Sequence, residues 1–324
     1  LSASGGTVTG ATTSSLALSL AACYIVRKIT VEDRDRGHDF LMELNPEKHV
    51  DAAHTFLDQI RLLGRPPTRE TLEALLQHYA RLPYENVSKI LKLHRHFNDQ
   101  TRIRLPEEVV EEHWRYHFGG TCFSLTFTLE TILKFAGFVC YPVMAHMRAG
   151  PNTHSALVVF LEKTPHLVDP GYLLRYPLRL DKDLRRIYHT PFTGVELRFD
   201  HRDESYNVWT FNRQERKWRY KFWDKPTPPH EFLQHWLDSF YRPTMHGICI
   251  SQTTETGLLY LHNNYFRRTT LEGKETRRLK GDLSPVVESV FGIPGELVEA
   301  ALAALEENLR LEREMGIFKP RGLR

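Results

Sequence analysis

The hydrophobic spacing of this chain changes period at Gly137, and that break constrains the fold more than any other feature. Before it, apolar residues recur at intervals of three and four, as on a helix with one face turned to a core. "DAAHTFLDQIRLL" ends at Gly64 with Pro66 and Pro67, and "PTRETLEALLQHYARL" follows with Thr68 placed as its N-cap. In "LPYENVSKILKL", Pro83 stops a helix and begins an extended or turning segment. "LPEEVVEEHWRYHF" opens another helix, and Cys122 to Phe135 forms a further one that Gly137 closes. Residues 48–138 therefore read as a helical bundle.

After Gly137 come short β-branched or aromatic runs between turn residues: "FVCYPVMAHMRA", "HSALVVFLE", "HLVDPG", "GVELRFD", "YNVWTFNR" and "WRYKFWD". "HEFLQHWLDSFY" returns to helical spacing. "GICISQTT", "GLLYLHNNYFRRTTLEG" and "KETRRLKG" read as strands, and "GELVEAALAALEENLRLE" as a closing helix. Helices first, strands next and a mixture last make an α+β chain.

The 324 residues leave room for two or three domains on a shared core. A net charge of +3, with 43 basic residues scattered among 40 acidic ones, gives no basic field, so nucleic acid is not an expected partner. The four cysteines, at 23, 122, 140 and 249, form neither C-x-x-C nor a zinc spacing; no metal is expected, and a reducing, cytoplasmic setting fits. Residues 1–47 form an extension with no assigned role. Its apolar run from Leu16 to Val26, 11 residues, falls short of the roughly 20 that a membrane span needs, and no basic residues precede it as in a signal peptide. No membrane association is expected.

Three residues stand out as a set: Cys122, His154 and Asp169. A cysteine nucleophile needs a thiolate, a base to take its proton, and a group that fixes the base's tautomer. Cys122 opens a helix after Gly119 and Gly120, where close backbone approach and the helix dipole favour a thiolate. His154 heads a strand and Asp169 ends one, so two neighbouring strands joined around "EKTPHL" would hold them side by side. Alone, Cys122 would read as a small core residue. The ordered set on suitable elements is what points to chemistry.

The segments "LPYENVSKI", "GGTCF", "NTHSALVVF" and "HLVDPGY" resemble, in order, the PFEN, RGG-x-CFE, T/H-strand and LVD-V-G segments of the arylamine N-acetyltransferase family. "FLDQIRLLGRPPTRETLEALLQHYARLPYENV" is similar to that family's opening helical hairpin, and "LSPVVESVFGIP" to its C-terminal FGI stretch, so the resemblance spans about 48 to 324. It implies a helical bundle over 48–138, a central antiparallel β-barrel over 139–240 and an α/β lid over 241–324, on a papain- or transglutaminase-like cysteine core. It also implies a ping-pong acyl transfer. Cys122, deprotonated by His154 and oriented by Asp169, would take the acetyl group of acetyl-CoA, or another acyl-CoA, and pass it to a small aromatic amine, hydrazine or hydroxylamine. An amide synthase of the same fold with a carrier-bound acyl donor, a papain- or transglutaminase-like hydrolase, and a silent homologue acting as a binding protein are the alternatives.

Two departures touch the site. Phe118 stands where the family has Arg before the Gly pair, and Ser124 where an acid often follows Cys-Phe. The family Arg ties down the PFEN glutamate, here Glu85 beside Asn86, and Arg115 is the candidate substitute. Phe123, Phe127, Tyr172 and Tyr176 are candidates to line an aromatic acceptor pocket. His113 and His117 have a spacing that zinc can use, but the metalloprotease Glu and a third ligand are missing, so they read as a structural or solvent-facing pair. The stretch "FRRTTLEGKETRRLKGD" reads as a charged edge hairpin, with CoA phosphate binding as the alternative.

Overall fold

The structure is a computed structural model that describes residues 42–95, 99–190, 192–213, 215–270, 272–314, 316 and 318. Most of the expected N-terminal extension, with Cys23 and the apolar run, lies outside the described residues.

Helices α1 (Val50–Gln59), α2 (Arg69–Tyr79), α3 (Val87–Arg95), α4 (Asp99–Arg102), α5 (Pro106–Tyr116) and α6 (Cys122–Phe135) occupy the first stretch, with a two-residue strand, β1 (Tyr84–Glu85), after α2. Thr68 caps α2 by accepting from the Thr71 N–H, as its position predicts. Phe56 and Leu57 of α1, Leu72, Leu75 and Leu76 of α2, and Leu125, Leu129, Ile132 and Leu133 of α6 share one core. Every residue of α6 from Cys122 to Leu133 is buried. A helix wrapped by packing on all sides has no solvent face, and the polar residues it buries, such as Ser124, Thr126 and Thr131, bond to backbone carbonyls.

Strands β2 (Cys140–Met147), β3 (Gly150–Leu161), β4 (Thr164–Val168), β5 (Leu178–Arg179), β6 (Arg186–His189), β7 (Gly194–Asp200), β8 (Ser205–Phe211) and β9 (Arg216–Phe222) form an antiparallel sheet ordered β5-β4-β3-β2-β9-β8-β7-β6. The short edge strands β5 and β6 come close without a hydrogen-bonded ladder, so the sheet is barrel-like and nearly closed. Its interior is apolar, with Val143, Val158, Leu167, Val195, Val208 and Phe222 alternating inward along their strands.

Helix α7 (Pro229–Asp238) leads into a second antiparallel sheet. Its order is β1-β10-β11-β12-β13, with β10 (Cys249–Thr253), β11 (Leu258–His262), β12 (Tyr265–Thr269) and β13 (Lys274–Arg278). All five residues of β13 are exposed, the expected state of a charged edge strand. Helices α8 (Ser284–Phe291) and α9 (Gly295–Glu314) follow. Val298 and Ala301 of α9 pack with Ile90 and Leu91 of α3. The last part of the chain is thus joined to the first by a strand ladder and by a helix contact. Among the described residues no helix is long and apolar enough to cross a membrane.

Candidate active site

The Gly pair places the start of α6 against β1. Glu85 N–H donates to the Gly120 carbonyl at 2.9 Å, and Gly120 N–H donates to that of Pro83 at 3.3 Å. A Cβ on Gly119 would lie 1.9 Å from the Pro83 carbonyl oxygen, and one on Gly120 would lie 2.2 Å from Ser124 Oγ. Gly119 excludes a side chain because backbone approaches backbone there, and Gly120 because the Ser124 and Arg104 side chains fill the space. Thr121 is extended, and Cys122 is the first helical residue, at the end where N–H groups lack intrahelical acceptors and the dipole favours negative charge.

His154 lies on β3 and Asp169 follows β4 directly, and the register Leu157 to Val168 brings them together. His154 Nε2 is 2.9 Å from Asp169 Oδ2. The Tyr220 hydroxyl donates to the same oxygen at 2.5 Å, and the Tyr172 N–H donates to Asp169 Oδ1 at 3.0 Å. The other ring nitrogen of His154 is left for Cys122, whose thiolate is favoured by the His154 side chain and the Ser155 N–H. All three residues are buried; Asp169 is fully enclosed. Gly171 closes the group, since a Cβ there would sit 2.7 Å from His154 Cε1 and 3.0 Å from Cys122 Cβ.

The electrostatics follow from this packing. Burial works against the Cys122 thiolate, but the hydrogen bond and charge of His154, the charge of Lys89 and the Ser155 N–H outweigh it and lower the thiol below its ordinary value. Burial likewise works against the imidazolium, yet the Asp169 carboxylate and the Cys122 sulfur push His154 up to about 10. Both shifts favour a thiolate–imidazolium pair. Cys140, also buried but without such partners, is pushed up to about 12.

Glu85 is tied down, but not by Arg115. Arg115 is exposed, with its guanidinium over the Tyr116 ring. Arg104 reaches in instead, from the segment between α4 and α5. Its Nη1 donates to the Gly119 carbonyl at 2.6 Å and to Ser88 Oγ at 2.8 Å and lies 3.6 Å from Glu85 Oε1, while Nη2 meets Glu112 at 2.6 Å. Phe118, in the family's arginine position, lies under this guanidinium. Glu85 also accepts from the Ser88 N–H and hydroxyl. Asn86 donates to the Gly247 carbonyl at 2.7 Å and accepts from the Cys249 N–H at 2.8 Å, fixing the entry to β10. Ser124 donates to the Thr121 carbonyl.

Phe123 and Phe127 belong to the buried cluster that contains Cys122, together with Met144, Phe232, Trp236 and Phe240. Tyr172 lies edge-on to the His154 ring at 5.3 Å, whereas Tyr176 is exposed. The aromatic residues of α7 were not singled out in sequence; the apolar face of "HEFLQHWLDSFY" was their signal. Tyr220 had none beyond strand alternation. His113 bonds the Phe118 carbonyl, and burial pushes it down to about 4. The described residues contain no group of three or more His, Cys, Asp or Glu side chains placed to hold a metal. Arg268 and Arg277 of the basic hairpin line a cleft of about 930 Å³ with Thr254, Phe266 and Val290; none of Cys122, His154 or Asp169 lines it.

A family model described as N-acetyltransferase matches residues 68–298. No curated protein matches the chain. Among solved structures, the arylamine N-acetyltransferase of Salmonella typhimurium is similar with a TM-score of 0.65 at 21% identity, over 78% of this chain and 98% of that one. That of Mycobacterium abscessus gives 0.69 at 19% identity, over 83% and 99%. That of Mycobacterium marinum in complex with CoA gives 0.63 at 18% identity, over 76% and 96%. The matched model spans more than two thirds of the sequence and the shared fold extends over nearly the full length of these structures, so the chain belongs to the arylamine N-acetyltransferase family of acyltransferases.

Proposed function

We propose that this protein transfers an acyl group from a CoA thioester to an aromatic amine, hydrazine or hydroxylamine by a ping-pong mechanism through an acyl-cysteine at Cys122. The observation that carries the reading is the buried chain of contacts in which Cys122 meets His154 and His154 Nε2 meets Asp169 at 2.9 Å. Acetyl-CoA is the simplest donor, and the Mycobacterium marinum structure of this fold holds CoA.

The thiolate attacks the thioester carbonyl carbon, and N–H groups of the first turn of α6 stabilise the oxyanion. The intermediate collapses with loss of the CoA thiolate, which takes its proton from the His154 imidazolium. The amine nitrogen then attacks the acyl-cysteine and gives its proton to His154, and Cys122 leaves as a thiolate. Asp169 holds the imidazole and balances its charge in both halves, itself held by Tyr220 and the Tyr172 N–H. Phe123, Phe127 and Tyr172 are assigned to the wall that meets the aromatic acceptor. In this scheme the helices to residue 138 hold the nucleophile, the sheet of 139–240 holds base and acid, and 241–324 acts as a lid on a papain-like core.

Steady-state kinetics test the mechanism. Varying acetyl-CoA and an arylamine together is expected to give parallel double-reciprocal lines, with no turnover by Cys122→Ala. Intersecting lines, or turnover without the thiol, contradict it.

A further inference from the structure

Helix α7 touches both halves of the catalytic pair through contacts that the acyl-transfer scheme does not use. Toward the nucleophile, Phe232 and Trp236 lie one turn apart on the buried face of α7. Both pack on Phe123, the neighbour of Cys122: Phe232 edge-on at 5.4 Å between ring centres, Trp236 stacked at 6.4 Å. Trp236 also meets Phe127 at 6.1 Å, one turn further along α6. Toward the base, His235 leaves the same helix beside Trp236, and its Nε2 lies 2.9 Å from Asn152 Nδ2. Arg242, in the segment that continues from α7, donates through Nη2 to the Asn152 carbonyl at 3.1 Å.

The backbone at Asn152 gives this link its consequence. Strands β2 and β3 are in register at Ala145 with His154 and again at Met147 with Gly150, so Pro151, Asn152 and Thr153 stand against His146 alone. The extra residues form a bulge directly before the base, and Asn152 takes a φ of +50°, in the left-handed region. Thr153 closes the bulge by donating from its hydroxyl to the Gly150 carbonyl at 2.9 Å. A bulge re-aims the side chains beside it, and a left-handed residue of this kind holds its place only when its surroundings fix it. Here the side chain of Asn152 is fixed by α7 and its carbonyl by the segment after α7. His154 is thus set from two directions, by Asp169 at Nε2 and by the bulge through the course of the backbone.

We propose that α7 is a strut between nucleophile and base, and that Asn152 and His235 are positioning residues whose contact sets the reach of His154 toward Cys122. The proposal rests on the acyl-cysteine reading above. With Asn152 Nδ2 as donor, His235 Nε2 is the acceptor, the lone-pair nitrogen of a neutral imidazole. Loss of the contact leaves the sheet in place, because the ladder of β3 runs on with β2 from His154 to Val159 and with β4 from Leu157 to Leu161. What it releases is the bulge, and a base displaced by about 1 Å costs on the order of 10²-fold in rate.

The test uses the full chain with Asn152→Gly, which keeps the left-handed backbone and removes the side chain, with His235→Ala, and with both. Two quantities are read: the rate of Cys122 acetylation by acetyl-CoA, followed by intact mass, and the ratio of iodoacetamide alkylation rates at Cys122 between pH 9 and pH 7. The second moves only if His154 moves, because the nearby imidazolium is what favours the thiolate; a merely structural contact leaves it alone. The native ratio is expected near unity. Each single variant is expected to acetylate at least about tenfold more slowly, and its alkylation ratio to rise toward the roughly tenfold or more of an ordinary thiol. The double variant is expected to match the worse single one, since one contact is lost once. His235→Gln, whose side-chain oxygen accepts from Asn152, is expected to recover most of the loss. Unchanged rates and ratios in both single variants overturn the proposal, as do losses that add in the double variant with no recovery by Gln. Alkylation needs no acyl donor, so a native protein that never gains an acetyl group contradicts the acyl-cysteine reading while the ratio still decides the strut. The two positions lie on different elements, so if one variant does not fold the other is decisive.

Discussion

At Cys122, burial raises the thiol while His154, Lys89 and the Ser155 N–H lower it, and the balance lies below an ordinary cysteine. His154, pushed up to about 10, keeps its proton through neutral pH and holds the thiolate as pH falls. Alkylation of Cys122 by iodoacetamide is therefore expected to stay nearly level from pH 9 to pH 7. An ordinary thiol, with a pKa near 8.5, loses more than about tenfold of its thiolate over that range. Peptide mapping after brief labelling checks this, and Cys140, pushed up to about 12, is expected to remain unlabelled. Gly171→Ala drives a methyl into His154 and Cys122, and a misplacement of this kind is expected to lower kcat/KM by about 10²-fold and to cost about 1–3 kcal/mol of stability. Of these residues, Cys122, His154 and Asp169 were legible because they fall in motifs with a chemical logic. Gly171 and Tyr220 were not singled out. Their roles come from distant elements that meet only in the folded chain.

Helix α6 and strand β1 show how an element is specified by what must approach it. Gly119 and Gly120 stood out in the sequence, and the structure gives the reason in the Pro83 and Ser124 contacts. The helical period before Gly137 and the strand runs after it correspond to elements of the expected type, most of them with an apolar face turned to a core and β13 as an exposed, charged edge. The tie on Glu85 was misassigned. Sequence proximity to the Gly pair favoured Arg115, but the route of the chain between α4 and α5 brings Arg104 to Glu85, Ser88 and Gly119 instead. Truncating one partner of a buried ion pair strands the other, so Arg104→Ala is expected to cost about 3–5 kcal/mol in guanidinium chloride unfolding. Arg115→Ala, exposed, is expected to stay within about 0.5 kcal/mol. Equal losses from the two variants would contradict the assignment.

Across the whole molecule, the site depends on segments at both ends of the sequence. The first sheet supplies His154, Asp169 and Tyr220, and the helices supply Cys122. The second sheet reaches them through β1, whose Tyr84 and Glu85 pair with Ser251 and Ile250 of β10. Asn86 secures this junction. Asn86→Ala leaves the Gly247 carbonyl and the Cys249 N–H without it, and a loss of about 1–3 kcal/mol for each group is expected, read from the shift in thermal midpoint. A β-sheet junction of this kind was beyond sequence reading, since a two-residue strand has no period. The central claim concerns chemistry at one sulfur. The most direct measurement is intact-protein mass after seconds of exposure to acetyl-CoA without acceptor, followed by addition of an arylamine. The account predicts a single acetyl increment that is absent in Cys122→Ala and disappears when the amine is added. An arylamine acetylated at full rate while the protein never carries the increment would contradict it.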